Sequence, residues 1–263
     1  MEREKQILQD YLLNINIADI KKKYNTSWET INKICKKHNL WNSERTIIKR
    51  KNSNNNLRKV KENPFLNLEN SEVQYWLGML ATDGSIFGNK ISLSSKYEYI
   101  LERFRSFLKS YNSIREIYSK KFNCYYYTIS FANYEIADYL KSLGIVENKT
   151  ETLKVNFKLT WSFLQGVIDG DGCVSFYRNN VNKNCCSISI VTKSKEFKNQ
   201  ICDFYKENNI KFRNYNYNIH HIQVTNFINC KNLLKFIYID HHTCFKHKYE
   251  KALLIRNYEL KTP

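Results

Sequence analysis

The sequence predicts an α+β fold: two pseudo-symmetric αββαββα repeats, preceded by a small all-α module. Three observations carry this expectation. The segment Trp76-Leu77-Gly78-Met79-Leu80-Ala81-Thr82-Asp83-Gly84 recurs as Leu164-Gln165-Gly166-Val167-Ile168-Asp169-Gly170-Asp171-Gly172, keeping a Gly-x-x-x-x-Asp-Gly register. Downstream, Ile91-Ser92-Leu93-Ser94-Ser95-Lys96 recurs as Ile188-Ser189-Ile190-Val191-Thr192-Lys193. Residues 1–41, by contrast, show helical spacing only.

In that leading module, residues 2–13 place Ile7, Leu8, Tyr11 and Leu12 on one helical face, and residues 17–25 do the same with Ile17, Ile20 and Tyr24. A third helix starts at a Thr26 or Ser27 cap and turns Trp28, Ile31, Ile34 and Cys35 inward. Its other face shows Ser27, Glu29, Thr30, Asn32 and Lys33. A three-helix protein-interaction module fits this layout. The run from Ile17 to Ile34 also resembles the helix-turn-helix of resolvase- and sigma-like proteins, whose last helix enters the major groove. On that resemblance Ser27, Thr30 and Lys33 are candidate DNA contacts. Residues 42–66 mix Asn, Ser and basic residues with almost no apolar periodicity, as expected of a cationic flexible linker.

The two repeats then occupy residues 67–155 and 156–263, with Asp83 and Asp171 lying 88 residues apart. After each motif the pattern continues as a hairpin, a helix (99–111 and 196–208), a second hairpin including 126–131 and 221–225, and a helix (134–143 and 229–237). Period-two alternation assigns the strand faces. Ile91, Leu93, Ile129 and Phe131, with Ile188, Ile190, Ile222 and Val224, pack under helices. Lys90, Ser92, Ser94, Lys96, Tyr126, Thr128 and Ser130 face away in the first repeat. Ser187, Ser189, Val191, Lys193, His221 and Gln223 do so in the second, and Arg178 is added to that set. A solvated antiparallel sheet would alternate in the same way. Charge decides between the readings: 42 Lys and Arg stand against 25 acids, a net +17 spread along the chain, and nucleic acid is the commonest partner of such a surface.

Composition narrows the class further. With 42% apolar residues and only 7 Gly and 2 Pro, the chain can bury a core and is neither collagen-like nor Pro-rich disordered. Apolar runs are too short to span a bilayer, and the charged N-terminus lacks an apolar signal region. An intracellular protein is therefore expected: cytoplasm or nucleoid of a prokaryote or phage-infected cell, or an organelle. The eight cysteines form no CxxC pair and are expected as free thiols. His241, His242, Cys244 and His247 are zinc-ligand types, but the second pair of ligands that a structural zinc site needs is missing.

Gly78 and Gly166 allow two helices to meet backbone against backbone, bringing Asp83 and Asp171 together at their C-terminal ends. Each aspartate precedes a glycine, Gly84 or Gly172, expected to reverse the chain. Carboxylates are disfavoured at helix C-termini and repel each other, so this arrangement calls for cations between them. The paired motifs resemble those of a LAGLIDADG homing endonuclease in its single-chain, two-repeat form, over residues 67–263. The resemblance implies a DNA-binding β-saddle on double-stranded DNA and a monomeric core. It implies site-specific double-strand cleavage of a long asymmetric target, leaving short 3′ overhangs. Asp83 and Asp171 would be the metal-binding catalytic acids for Mg²⁺, with Mn²⁺ able to substitute and Ca²⁺ supporting binding only. Lys149 matches the family's basic position after the first repeat; after the second, Lys248 is favoured over Lys246. Lys96 and Lys193 become candidates for the rim of the site. The first motif departs from the pattern with Ala81 where the second has Asp169. An intron-splicing maturase or a non-cleaving DNA-binding regulator on the same scaffold is the alternative.

Overall fold

The computed structural model describes residues 2–13, 15, 17–38, 60–120, 123–179, 183–216, 218–239 and 244–259. The chain falls into two compact units, Met1–Arg58 and Lys59–Pro263.

In the first unit, α1 (Glu2–Leu12), α2 (Ile17–Lys23) and α3 (Trp28–Lys37) enclose a small core of Ile7, Tyr11, Ile20, Ile31, Ile34 and Cys35. Ser27 caps α3 by accepting from the Thr30 N–H at 3.3 Å. Asp10 ties α1 to the end of α2, accepting from Lys23 Nζ at 2.7 Å and Tyr24 Oη at 2.8 Å. Two expectations for α3 change. Trp28 opens the helix and is 37% exposed, because it lies a turn before the buried stripe begins at Ile31. Asn32, expected outward, has its Oδ1 buried with no hydrogen-bond partner.

The second unit contains α4 (Ser71–Thr82), β1 (Gly84–Phe87), β2 (Lys90–Ser95), α5 (Glu98–Phe107), β3 (Arg115–Ser119), β4 (Cys124–Ala132) and α6 (Tyr134–Ser142). The same order follows in α7 (Trp161–Asp171), β5 (Gly172–Arg178), β6 (Asn184–Thr192), α8 (Lys195–Glu207), β7 (Arg213–Asn216), β8 (His220–Thr225) and α9 (Phe227–Leu234). A further helix, α10 (Lys246–Asn257), comes last. The αββαββα repeat is thus present twice. Each repeat forms a four-stranded antiparallel sheet, in the order β1-β2-β4-β3 and β5-β6-β8-β7. Helix caps recur as well: Asn133 starts α6 and Asn226 starts α9, each accepting an N–H three residues on.

Apolar faces of both sheets pack under the helices, with Ile91, Leu93, Ile129, Ile188, Ile190, Ile222 and Val224 nearly inaccessible. One core runs through both repeats. It also takes in Val60 and Phe65, which the sequence assigns to the linker. Phe65 makes an edge contact with Phe107 at 5.4 Å, and the Val60 carbonyl accepts from Asn133 at 3.2 Å. Residues 39–59, which include most of that linker, lie outside the described residues, as do His241, His242 and Thr243 of the zinc-like cluster. The segment joining the repeats is pinned to the second: Gln200 bonds both the N–H and the carbonyl of Val155, and Ser194 donates to the Leu153 carbonyl. No helix of the described residues is long and apolar enough to cross a membrane.

Candidate active site

Helices α4 and α7 meet backbone to backbone. A β-carbon on Gly78 would stand 2.2 Å from the Phe163 carbonyl oxygen, and one on Gly166 would stand 2.2 Å from that of Tyr75. Both glycines therefore set the helix spacing, as their position in the motif suggests. A third contact has no signal in the sequence: a β-carbon on Gly170 would meet Thr82 Oγ1 at 2.0 Å. The helices thus touch along their length and again at their C-terminal ends. Gly84 and Gly172 serve a different purpose from the one expected. Gly172 has φ −101°, and among the described residues the only glycines in the left-handed region are Gly88 and Gly144. Gly84 and Gly172 are needed because a β-carbon would come within 2.5–2.6 Å of the preceding helical turn, at Leu80 and Ile168.

This packing brings Asp83 and Asp171 together. Burial pushes the Asp83 carboxyl up to about 6, and the charge of Asp171 adds to the rise; Lys248 and then Lys149 oppose it. Burial also raises Asp171, against Lys149 and Lys248. The two acids, one from each helix end, lie within each other's field together with both lysines. Among the described residues no group of three or more His, Cys, Asp and Glu side chains gathers for a metal. Asp83, half-buried, and Asp171, exposed at the end of its helix, nevertheless fit a hard cation that takes its remaining ligands from phosphate and water.

The lysines occupy equivalent places. Lys149 Nζ donates to the Gly84 carbonyl. Lys248 Nζ donates to the equivalent Gly172 carbonyl at 2.8 Å, and also to Ile168 at 2.6 Å and Asp169 at 2.7 Å. Burial lowers the pKa of both. Lys246 is exposed and uses its backbone N–H toward Tyr99 Oη, so only Lys248 reaches the helix ends.

Two clefts flank the pair, and each mixes the repeats. The first, about 810 Å³, is lined by Asp83 and Lys96 of the first repeat and by Lys248 and His247 of the second. The other, about 180 Å³, is lined by Asp171 and Lys193 of the second repeat and by Lys149 of the first. Lys193 is partly offset by Glu151 at 3.8 Å.

Strand register extends the site outward, because directly paired residues share a face. Lys90, Ser92, Ser94, Tyr126, Thr128 and Ser130 lie together on the face away from the helices, with Ser92 opposite Ser130 and Ser94 opposite Thr128. Ser187, Ser189, Val191, His221 and Gln223 share the corresponding face of the other sheet. Ser187 is only 7% exposed, and it stands between its cross-strand partners Ser175 and Thr225. Arg178 is a correction: it pairs with Asn184 and shares the parity of buried Val174, so it belongs to the helix side, exposed at the strand's end. The register also adds Arg115, opposite Thr128, and Arg213, opposite Gln223. Both stand in edge strands too short and polar to be read from alternation. Among the described residues, no strand position on either outward face carries a carboxylate.

Residues 70–144 match a known family, the LAGLIDADG-like domain. The second repeat, outside the matched residues, carries the same elements and the same motif. No curated protein matches the chain by sequence. Among solved structures, the homing endonuclease I-WcaI bound to its DNA recognition sequence is 14% identical, with a TM-score of 0.53 over 69% of this chain and 85% of that one. A lysine-to-alanine mutant of I-SmaMI is 10% identical, with a TM-score of 0.51 over 72% and 92%. I-SmaMI, a meganuclease bound to uncleavable DNA with a TTGT central four, is 12% identical, with a TM-score of 0.50 over 76% and 89%. The fold of the second unit is the LAGLIDADG fold.

Proposed function

We propose that the chain is a site-specific DNA endonuclease that cuts both strands of a long asymmetric duplex, leaving short 3′ overhangs. One observation carries the reading: two helix ends deliver Asp83 and Asp171 to one place, each beside a lysine bonded to the carbonyl of the following glycine. Such a site holds negative charge that only cations relieve, and the outward sheet faces beside it carry no acid among the described residues. The shared fold with DNA-bound endonucleases supports the same conclusion.

Asp83 and Asp171 would hold divalent cations, Mg²⁺ by the hardness of the donors, with Mn²⁺ substituting and Ca²⁺ supporting binding alone. When bound, such a cation supplies Lewis acidity and charge neutralisation for phosphodiester hydrolysis. The protein's own groups do the rest. Lys149 bonds one carbonyl and keeps ammonium hydrogens to offer a phosphate, whereas Lys248 spends three on carbonyls and contributes charge. Lys96 and Lys193 guide the backbone at the cleft rims. Lys90, Arg115, Arg213 and the serines of both sheets contact the duplex, and Gln223 and His221 offer donors and acceptors to base edges. We assign Ser27, Thr30 and Lys33 of α3 to a second DNA contact, made by a helix-turn-helix module. Both motifs lie on one chain, so the nuclease core acts as a monomer.

The test is cleavage of a randomised duplex library with Mg²⁺ or Ca²⁺, with sequencing of the ends. The proposal expects ends that appear only with Mg²⁺ and share one long motif. Products without a common motif, or no products at all, would overturn it.

A further inference from the structure

We infer that Asp169 is a positioning residue for one half-site only: it fixes the start of α10 so that Lys248 is held in the larger cleft. This rests on the nuclease reading above and adds a residue to it.

Asp169 is completely buried, and both its oxygens are used. Oδ1 accepts from Tyr238 Oη at 2.7 Å. Oδ2 accepts from Tyr75 Oη at 2.9 Å and from the Phe245 N–H at 3.0 Å. These donors come from three separate parts of the fold: α4, the segment after α9, and the residue that caps α10. Phe245 has no side-chain acceptor of its own for the first turn of that helix, so the carboxylate stands at an N-terminus, where negative charge is favoured. Lys248, one turn into α10, returns the link by bonding the main-chain carbonyls of Ile168, Asp169 and Gly172. Helices α7 and α10 are therefore joined twice at one residue, once through the Asp169 side chain and once through its carbonyl.

The other half does without this device. Ala81 stands at the position equivalent to Asp169, buried in the same helix pair. The counterpart of Tyr75 is Phe163, which lacks the hydroxyl. Lys149 arrives on a turn, after Asn148 at φ 53°, and bonds a single carbonyl. The Ala81 side shows that these helices pack without an acid at this point. A buried carboxylate whose three hydrogen-bond donors are all neutral costs stability, so packing alone does not account for Asp169. Its bonds lead to α10, and α10 leads to Lys248.

The test is single-turnover cleavage, with Mg²⁺, of a duplex recovered from the library selection, each strand labelled separately. Asp169→Ala is expected to slow cutting of one strand roughly ten- to hundred-fold, the loss that a small misplacement brings. The other strand should be cut at the wild-type rate, nicked duplex should accumulate, and binding in Ca²⁺ should be unchanged. The slowed strand should be the one slowed by Lys248→Met, and the double variant should be no slower than Lys248→Met alone. Tyr238→Phe, which removes one donor and keeps the ring, should slow the same strand less; it serves where Asp169→Ala fails to fold. Equal slowing of both strands, a strand different from that of Lys248, or multiplying effects would overturn the inference. Wild-type protein that makes no double-strand cut contradicts the nuclease reading instead.

Discussion

In the cleft at Asp83 the lysine is held by three carbonyls; in the cleft at Asp171 its counterpart is held by one. The first lysine lies on a helix and is 8% exposed, while the second lies on a turn and is partly open. The first cleft is also several times larger, and among the described residues its rim lysine, Lys96, faces no acid comparable to Glu151 beside Lys193. Duplication has supplied both halves with an aspartate, a rim lysine and a tail lysine. What differs is the packing that fixes them. On the proposed nuclease reading, the two strands of a duplex would meet one rigid half-site and one adaptable half-site.

Replacing the tail lysines one at a time should have the largest effect. Lys149→Met is expected to remove most cleavage of one strand with little change in melting temperature. Lys248→Met should slow the other strand and also destabilise the fold by about 2–4 kcal/mol, because three helix-end carbonyls lose their buried donor. Thermal melting beside strand-resolved kinetics checks both, and equal stability losses would remove the distinction.

Burial pushes the carboxyls of Asp83 and Asp169 up to about 6, above the ordinary carboxylate value of 3.8. Folding therefore favours their protonated forms. Metal-free protein should gain stability as pH falls from about 6 toward 4, and cleavage should fall with pH as protons compete with the metal for Asp83, less steeply at higher Mg²⁺. By the same sign, Asp83→Asn should melt higher than wild type at pH 8 in EDTA, by up to ~2 kcal/mol after allowing for partial solvent screening. A lower melting point would show that the acids are not a stability cost.

The smallest effect is expected at the rim. Glu151→Gln frees Lys193 from a solvent-exposed pair and should tighten duplex binding at low salt by less than about 1 kcal/mol, an advantage that fades as salt rises. Binding measured at two salt concentrations tests this.

Much of this architecture is legible in the sequence because duplication repeats its signals. Gly78 and Gly166 reveal a close helix pair, and alternation in Ile91–Lys96 and Ile188–Lys193 orients both sheets. The missing parts carry no periodic signal. Asp169 reads as a variable second acid, since nothing local says that Tyr75, Tyr238 and Phe245 converge on it from 94, 69 and 76 residues away. Helix α10 escapes a reading by pattern because its sequence is charged on most faces; only the spacing of Lys248, Ala252 and Ile255, its buried residues, marks it. Arg178 joins the outward set with no strand pattern to place it, and the register of β5 against β6 puts it on the helix side.

The most direct test of the central claim is a Mg²⁺ titration of cleavage by wild type, Asp83→Asn and Asp171→Asn on the selected duplex. Double-strand ends are expected from wild type only when Mg²⁺ is present and from neither variant, with duplex binding largely retained by both variants. Double-strand ends from either variant at the wild-type rate, or from wild type in EDTA, would contradict it.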